Sequence, residues 1–383
     1  MASEQTEAEH QAELARPTSS IREVGLLRRE LQDWLTDRLG TAADPVVDNV
    51  VIPAANGMSS ETIVFDATWL ENGERQLHPL VARVAPGETT MPIFPTYDMA
   101  AQFRTMRAVS DNSSVPVPTT YWSESDPAAL GGPFFVMQRI EGQVPPDVMP
   151  YNFGSWVTEA TDDERARLQR NTVGVLADLH AIDLSHFDFL GSPPPVAETA
   201  MRDHIAAQRT YYEWATTTGP RSPLIERCLD ELSRTCPTDG SPTAFSWGDA
   251  RIGNVMYRNF EPVAVLDWEM ASFGPRELDL GWLIFLHRFF EDLTTLAGMP
   301  GLPGFLRRDD VAHTYRELSG HTPHDLDFYV FFAAVRQATI MFRVQSRAIH
   351  FGQAVVPDNP DEMILHHATL EKMLAGTYWT GIA

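Results

Sequence analysis

Three polar residues in the second half of the chain have the types and spacing of a cation-binding and proton-transfer site. Asp249 follows a glycine in a loop-like segment, Asn254 comes five positions later, and Asp267 ends the apolar stretch 263–266. Carboxylate and amide oxygens are the ligands that Mg²⁺ prefers in proteins. A loop aspartate beside such a cation can serve either as a third oxygen ligand or as a general base. The segment therefore predicts a Mg²⁺ site with Asp249 next to it.

The same segment predicts a β-hairpin that would hold these side chains. Residues 254–258 and 263–267 have strand-like composition, and residues 259–262 between them predict a four-residue turn. If the hairpin closes symmetrically, Asn254 faces Asp267, and directly opposed side chains have Cβ atoms roughly 5 Å apart. An aspartate at the end of one strand is by itself more often a turn residue than a ligand. The combination of loop, hairpin and spacing favours a functional site.

The surrounding chain predicts a β-rich first half and a mainly helical second half, an α+β fold. Ser20 and Glu23 form a capping-box pattern before an apolar helical face that ends near Gly40. Residues 1–19 are polar and predict a disordered tail. The strand-like stretches are 50–52, 62–69, 80–84 and 134–138, and helical patterns occupy 98–109 and most of the chain after residue 142.

Composition excludes several kinds of chemistry and partner. The 383 residues include 29 Lys+Arg against 52 Asp+Glu, a formal net charge of −23, and Lys372 is the single lysine. Schiff-base enzymes, pyridoxal-phosphate enzymes and lysine-containing phosphate loops all need a positioned lysine, and the surroundings of Lys372 suit none of them. So acidic a chain is also not expected to bind nucleic acids or anionic membranes. The sequence predicts no oligomeric state.

The cysteines and the hydropathy pattern indicate a soluble, cytoplasmic protein. Cys228 and Cys236 lack metal-ligand spacing and are interpreted as reduced thiols. The first twenty residues lack the apolar core of a secretory signal. The longest apolar stretch, near residues 280–290, contains His287 and Arg288 and is too short to span a bilayer.

Taken in order, the motifs resemble those of the aminoglycoside phosphotransferase family, relatives of choline kinase with a bilobal protein-kinase-like fold. The branch most similar to this chain is that of the kinase-like domains fused to acyl-CoA dehydrogenases. The motifs that carry the resemblance are Asn56–Ser60, Val81–Val84, Val115–Pro118, Phe135–Gly142, Leu179–Ala181, the Gly-Asp-x4-Asn loop at 248–254, Asp267–Glu269 and Asp279–Trp282. The resemblance implies a nucleotide-binding N-terminal lobe over residues 20–140 and a C-terminal lobe over 141–383.

The resemblance also implies a role for each candidate residue. Asp249 would be the catalytic base that accepts the proton of an acceptor hydroxyl, and Asn254 and Asp267 would hold Mg²⁺ against the phosphates of ATP. The residues implied to bind the nucleotide are Gly57, Met58, Ser59 and Ser60 over the phosphates, Arg83 at the phosphates, and Gln138 and Ile140 at the adenine. His180 is interpreted as a core histidine. Asp279 is expected to accept backbone N–H groups near the catalytic loop or to cap the following helix.

Three positions depart from the family pattern. The strand residue that is usually lysine is Arg83, whose guanidinium can still contact phosphate in a bidentate manner, unless it simply reaches out of the strand. The helix carboxylate expected to pair with it is replaced by Gln102, and Asp98 is a possible substitute. Trp247 stands where a histidine usually precedes Gly-Asp, which affects the packing of the loop more than its chemistry.

The acceptor is not named by any motif beyond being a small hydroxylated molecule. Residues 147–203 contain ten Asp/Glu and four Arg, which would attract a cationic acceptor such as an aminoglycoside, or would simply form a solvated surface. Aromatic residues could line an apolar pocket or pack the core: Trp156, Tyr211, Tyr212 and Trp214. Two other functions stay open. One is a degenerate kinase fold that binds nucleotide or a partner without catalysis, and the other is a metal-dependent hydrolase, for which the segment offers few ligands.

Overall fold

An antiparallel sheet forms the first part of the molecule. The computed structural model describes residues 23–53, 60–87 and 91–382, and the predicted tail over residues 1–19 lies outside them. The five strands are β1 (Val46–Val51), β2 (Glu61–Glu71), β3 (Glu74–Val84), β4 (Thr120–Glu124) and β5 (Phe134–Gln138). Their order in the sheet is β1-β2-β3-β5-β4. Two helices accompany the sheet, α1 (Val24–Leu39) and α2 (Met99–Asn112).

The long hairpin of β2 and β3 is the centre of this sheet and carries Arg83 towards the rest of the molecule. Asn72 and Gly73 connect the strands with φ angles of 54° and 86°, a turn backbone that matches the right-handed twist of the strands. Alternate residues of β2, such as Ile63 and Phe65, are buried, and α1 packs its leucines into the same apolar cluster. Burial of one face fixes the register of β3 against its neighbours.

The second part of the molecule is mainly helical. Its helices are α3 (Trp156–Glu159), α4 (Asp162–Leu179), α5 (Ala197–Ala215), α6 (Pro223–Thr235), α7 (Glu277–Leu296), α8 (Arg308–Ser319), α9 (Leu326–His350) and α10 (His367–Leu374). Two short antiparallel ribbons lie among them, β6 (Ala244–Ser246) with β9 (Ser272–Gly274) and β7 (Val255–Arg258) with β8 (Glu261–Val265).

The helices α7 and α9 form the buried centre of this second part. At Gly281 of α7, an added Cβ would lie only 2.7 Å from backbone atoms of Tyr329 in α9. A residue larger than glycine would therefore force the two helices apart. This close approach matters for the site, because the first turns of α7 hold Asp279 and Trp282, which contact the segment that carries Asp249.

The β7–β8 hairpin closes differently from the symmetric register predicted above. Only Asn259 and Phe260 form the turn, with left-handed φ angles of 53° and 65°, and Val255 pairs with Val265. A two-residue turn of this kind matches the twist of the strands better than the predicted four-residue turn. The predicted pairing of Asn254 with Asp267 is therefore wrong, although the two residues still flank the open end of the ribbon.

The predicted α+β class is confirmed, with the sheet preceding the helical part. The predicted lobe limits, 20–140 and 141–383, stay a prediction. Cys228 and Cys236 are free thiols and both are buried. Among the described helices, none combines the length and the hydropathy needed to cross a bilayer.

Candidate active site

Asp279, in the first turn of α7, anchors the segment that leads to Asp249. One carboxylate oxygen accepts hydrogen bonds from Ser246 Oγ (2.8 Å) and the Gly248 N–H (2.8 Å), and the other accepts from the Trp247 N–H (2.9 Å) and contacts His180 Nε2 (3.0 Å). Burial opposes the charge of Asp279, but the bonds from His180 and the loop outweigh it and lower the pKa of this carboxyl group. The expected contacts of Asp279 with backbone N–H groups and the core position of His180 are confirmed, whereas the alternative that Asp279 caps the helix is wrong, because the N-cap of α7 is Arg276.

Gly248 makes the sharp turn that presents Asp249. Its φ is +88°, a conformation that side chains rarely adopt, and an added Cβ would lie 2.2 Å from the carbonyl oxygen of Met270. The sequence therefore requires glycine here for two independent reasons. The next residue, Asp249, leaves the turn with its carboxylate directed towards α7.

Asp249 is buried and receives hydrogen bonds from three side chains. Trp282 Nε1 donates to one carboxylate oxygen at 2.6 Å, and Arg251 Nε donates to the same oxygen at 3.1 Å. Asn254 Nδ2 donates to the other oxygen at 2.7 Å. Burial and the nearby charge of Asp267 raise the pKa of Asp249 to about 7, against the lowering effect of the bonds from Trp282 and Asn254. A carboxylate with such a pKa is suited to general-base chemistry near neutrality.

Asn254 and Asp267 are both held beside Asp249. The Asn254 amide nitrogen is committed to Asp249, because it also donates to the Asp249 carbonyl at 3.1 Å, so the amide oxygen is left for another partner. Asp267 has a left-handed backbone, with φ of 62°. Trp247 Nε1 donates to its carbonyl oxygen at 3.1 Å. The tryptophan that replaces the usual histidine thus ties the Asp249 loop to the Asp267 turn.

Arg83 reaches from the sheet to Asp267. Its Nη2 lies 3.3 Å from a carboxylate oxygen of Asp267, and its Nη1 donates to Thr62 Oγ1 at 3.0 Å. Of the two partners suggested from the sequence, Asp98 caps α2 by accepting the Ala101 N–H, and the Gln102 amide contacts a methionine sulfur. Within the described residues, the ionic partner of Arg83 is therefore Asp267 rather than a side chain of α2.

The predicted nucleotide-binding residues are only partly described by the structure. Gly57, Met58 and Ser59 lie outside the described residues. Ser60 is 1% exposed, and its hydroxyl has no hydrogen-bond partner among the described residues. Gln138 ends β5, with its N–H bonded to the Thr119 carbonyl, and Ile140 follows in the connection to the helical part. Their predicted contacts with ATP stay a prediction.

Three side chains of the site were not assigned a role from the sequence. Trp282 and Arg251 contact Asp249 directly, and Arg251 also forms an ion pair with Asp147. Arg336 of α9 donates to the Gly248 carbonyl at 3.3 Å and lies over the Trp282 ring, 5.0 Å from its centroid. Two features of the sequence could have identified the arginines: Arg251 lies within the Asp249–Asn254 loop, and Arg336 is a charged residue in the largely apolar α9.

Sequence comparison supports the motif-level resemblance. Residues 65–318 match the model of the phosphotransferase enzyme family, APH. Curated relatives include IBR3 of Arabidopsis thaliana, described as an acyl-CoA dehydrogenase, which is 27% identical over 267 residues (64% of this chain and 31% of the relative). Acyl-CoA dehydrogenase family member 10 of Mus musculus is 25% identical over 343 residues (85% of this chain and 28% of the relative). The chain thus spans only about a third of the length of these two relatives.

Solved structures show the same fold at low identity. One is a protein from Ralstonia eutropha described as an aminoglycoside phosphotransferase, with a TM-score of 0.61, 18% identity, and coverage of 91% of this chain and 97% of that chain. Another is a thermostable mutant of aminoglycoside phosphotransferase APH(4)-Ia in complex with AMP-PNP and hygromycin B, with a TM-score of 0.55, 17% identity, and coverage of 91% and 100%. These structures show a protein-kinase-like fold. Since the family model covers most of the chain, the protein belongs to the phosphotransferase enzyme family.

Proposed function

We propose that the protein transfers the γ-phosphate of ATP to a hydroxyl group of a small molecule, with Mg²⁺ as the metal. The single observation that carries the proposal is the geometry of Asp249. Its buried carboxylate is fixed by Trp282, Arg251 and Asn254, and it lies next to the acidic side chain of Asp267. This arrangement provides a base and an oxygen-rich cation site at one place.

The residues present fit a magnesium ion. The Asn254 amide is oriented by its nitrogen, which leaves a neutral oxygen, and Asp267 contributes a carboxylate. Such hard oxygen donors suit Mg²⁺, which also keeps waters and phosphate oxygens as ligands. When bound, the ion neutralises charge on the transferring phosphate. Asn254 and Asp267 are therefore the residues that we expect to hold it.

The remaining residues of the site position the reactants. Asp249 accepts the proton of the acceptor hydroxyl, while the bonds from Trp282 and Asn254 hold its carboxylate in place. Arg83 is available for phosphate contacts at the sheet side, where it already pairs with a carboxylate. The buried hydroxyl of Ser60 is available as a further donor. The nucleotide contacts of Gly57, Met58, Ser59, Gln138 and Ile140 belong to this proposal as well.

A set of arginines on α9 supports an acceptor that carries negative charge. Arg336, Arg343 and Arg347 are spaced by seven and four residues, so they lie on one face of the helix. Arg336 reaches Gly248, beside the base, and Arg343 lies over the Trp214 ring, 4.3 Å from its centroid.

Arg347 is the most informative of these arginines. It is 5% exposed, and its Nη2 has no hydrogen-bond partner among the described residues. A buried guanidinium with an unmet donor is costly unless an anion or another acceptor pairs with it. We therefore propose that the acceptor is a hydroxylated molecule with a carboxylate or phosphate group.

The acidic region that suggested a cationic acceptor is a solvated surface in the structure. Asp162 and Asp163 are exposed at the start of α4, and Glu164 caps that helix through Thr161. Asp178 and Asp188 are also exposed and contact Ser114 and Arg104. Of the ten acidic residues, Asp147 reaches the site, where Arg251 pairs with it. The count of charges along the chain thus gives no support to a cationic acceptor.

The four aromatic residues that could line an apolar pocket or pack the core do not all have the same role. Tyr212 is buried in the core, and Trp156 packs against Tyr257. Tyr211 and Trp214 instead lie beside the α9 arginines, because Trp214 contacts Arg343 and Tyr211 stacks on Trp214. These two rings are the candidates for the apolar wall of the acceptor site.

The experiment is an assay of ADP release with Mg²⁺ and ATP against alcohols of matched size that carry a carboxylate, a phosphate, an ammonium group or no charge. We expect turnover with the anionic series and a loss of at least about a thousandfold in kcat for Asp249→Asn, typical of an essential base. Arg347→Gln should raise KM for anionic acceptors about tenfold or more, as expected for one charge-assisted contact.

Each outcome separates the candidate functions. Turnover only with ammonium-bearing alcohols would support the phosphotransferase activity but refute the proposal that the acceptor is anionic. ATP binding without turnover on any series would favour the non-catalytic kinase fold, and equal activity of Asp249→Asn would refute the assignment of the base.

A further inference from the structure

Four side chains on the other side of the α7 N-terminus form a second group with metal-ligand chemistry. They are Asp239 from the loop before β6, Glu277 from the first residue of α7, and His321 and His324 from the loop between α8 and α9. The Glu277, His321 and His324 ligand atoms lie within 4.8 Å of one another. Residues two apart on a helix point in nearly opposite directions, so Glu277 turns away from Asp279 and the catalytic loop.

Three distances between these atoms lie within about 0.7 Å of the edge of a tetrahedron around zinc, although Asp239 is not among the residues whose ligand atoms all lie within 4.8 Å of one another. Glu277 Oε1 lies 2.7 Å from His321 Nε2 and 3.9 Å from His324 Nε2, and Asp239 Oδ2 lies 3.4 Å from His324 Nε2. Zn²⁺ binds histidine nitrogen and carboxylate oxygen at about 2.1 Å, so neighbouring ligands in a tetrahedral site are about 3.4 Å apart. Small shifts of the side chains would bring the distances from Glu277 to the two histidines to this value. Asp239, which contacts His324, would move closer to the other two ligands to complete the tetrahedron.

We infer that Asp239, Glu277, His321 and His324 form a structural zinc site, with two imidazoles and two carboxylates as ligands. Both histidines present the same ring nitrogen, Nε2, to the centre of the group. The His-x-x-His spacing supplies them from one short loop. This inference is independent of the proposed function, because none of the four residues belongs to the Asp249 site.

The groups around the cluster orient its ligands as in known metal sites. His324 Nδ1 lies 3.0 Å from a carboxylate oxygen of Asp325, which leaves Nε2 as the nitrogen that faces the cluster. Metal-bound histidines commonly donate their other N–H to a carboxylate in this way. Asp239 is fixed as well, since its second oxygen accepts the N–H of Ser241 at 2.8 Å. Two of the four ligands thus already have outer partners.

Burial and charge also favour a cation at this place. Glu277 is 1% exposed and Asp239 is 9% exposed. Two buried carboxylates close to the same histidine are costly unless positive charge compensates them. A dication compensates both charges while the histidines remain neutral, whereas the alternative is an ion-pair network of protonated histidines without metal.

At this position a zinc ion would link three segments of the chain. Asp239, the α8–α9 loop and α7 come from three separate parts of the chain, and a shared ion would fasten them at the first residue of α7. The same helix holds Asp279 and Trp282, which position the catalytic loop. Loss of the ion is therefore expected to loosen the start of α7 before it affects any reacting group.

The test uses the full chain without a histidine tag, stripped of metal by a chelator and then titrated with Zn²⁺ in excess Mg²⁺. We expect one Zn²⁺ per chain by elemental analysis after desalting, a rise in melting temperature with Zn²⁺, and the visible absorption bands of tetrahedral Co²⁺ after cobalt substitution. The excess Mg²⁺ occupies the oxygen-ligand site, so the titration reports on the histidine-containing site.

Matched variants distinguish a built site from an adventitious one. His321→Gln with His324→Gln should abolish zinc binding, Asp325→Asn should weaken it 10–100-fold through loss of the outer partner, and His313→Gln, an exposed histidine of α8, should leave it unchanged. Melting curves recorded in chelator show whether each variant folds. Absence of stoichiometric zinc in the wild-type protein, or undiminished binding by the double variant, would overturn the inference in favour of a metal-free ion-pair network.

Discussion

Replacement of Asp279 by asparagine tests whether this carboxylate holds the loop that carries Asp249. One oxygen of Asp279 serves Gly248 N–H and Ser246 Oγ, and the other serves Trp247 N–H and His180. An asparagine has a single oxygen. Whichever way its amide is turned, an NH₂ group faces one of the two backbone N–H groups, which then has no acceptor.

The size of the effect follows from these contacts. An unsatisfied buried N–H costs about 1–3 kcal/mol, and each remaining bond changes from charge-assisted to neutral, which weakens it by roughly 1 kcal/mol. The sum is about 3–6 kcal/mol for Asp279→Asn, a large part of the 5–15 kcal/mol typical of a native protein. Urea unfolding monitored by fluorescence measures this loss, and the assay of ADP release should show a fall in kcat from displacement of Asp249.

The control is Asp162→Asn, because Asp162 also lies in the first turn of a helix but its side chain is 98% exposed. We expect a loss below about 1 kcal/mol there. If Asp279→Asn is too unstable to purify, Ser246→Ala removes one contact of the same oxygen and should cost about 1–2 kcal/mol. A loss for Asp279→Asn no larger than that of Asp162→Asn would refute the anchoring role.

Three further predictions concern single side chains. Trp282→Phe keeps an aromatic ring but removes the 2.6 Å hydrogen bond to Asp249. Because this bond holds the carboxylate in place, its loss should raise the activation free energy by about 1.5–3 kcal/mol and lower kcat about 10–100-fold, with KM for ATP within about twofold of wild type. Arg83→Gln removes the partner of Asp267 and should raise KM for ATP at least about tenfold, whereas unchanged kinetics would assign Arg83 a purely structural role. Burial lowers the pKa of His366 from 6.5 to about 4, so the unfolded chain takes up this proton first. Its stabilising contribution is complete above pH 6.5 and is lost as the pH falls to 4, by about 3 kcal/mol; His366→Gln should flatten this part of the curve of unfolding free energy against pH.

The sequence was sufficient for the α+β class and for four of the residues gathered at the site. Asp249, Asn254 and Asp267 were found from their types and spacing within one segment, and Asp279 from its motif. The predicted hairpin register was wrong, because the two-residue turn needs left-handed φ angles and is formed by Asn259 and Phe260. No glycine in the sequence signals such a turn. A phenylalanine with positive φ is an outlier that composition does not signal.

Contacts between distant segments could not be predicted in the same way. Trp282 contacts Asp249 across 33 residues of sequence, and Arg336 reaches Gly248 across 88. Such pairs depend on how α7 and α9 pack, which local patterns do not determine. The charge of the acceptor could not be predicted for a related reason. A count of acidic residues over 147–203 does not distinguish a solvated surface from a binding cleft, and the arginine that contacts Gly248 comes from α9.

Two of the three departures from the family pattern are connected through Asp267. Arg83, in place of lysine, pairs with the Asp267 carboxylate, and Trp247, in place of histidine, donates to the Asp267 carbonyl. Both substitutions thus meet at the residue proposed to hold Mg²⁺, one at its side chain and one at its backbone. An indole N–H cannot accept a proton and is insensitive to pH, so the Asp249 loop and the Asp267 turn stay joined over the whole range in which histidine would change charge. A site that had lost its function would not need this connection, and its presence favours the catalytic proposal over the degenerate one.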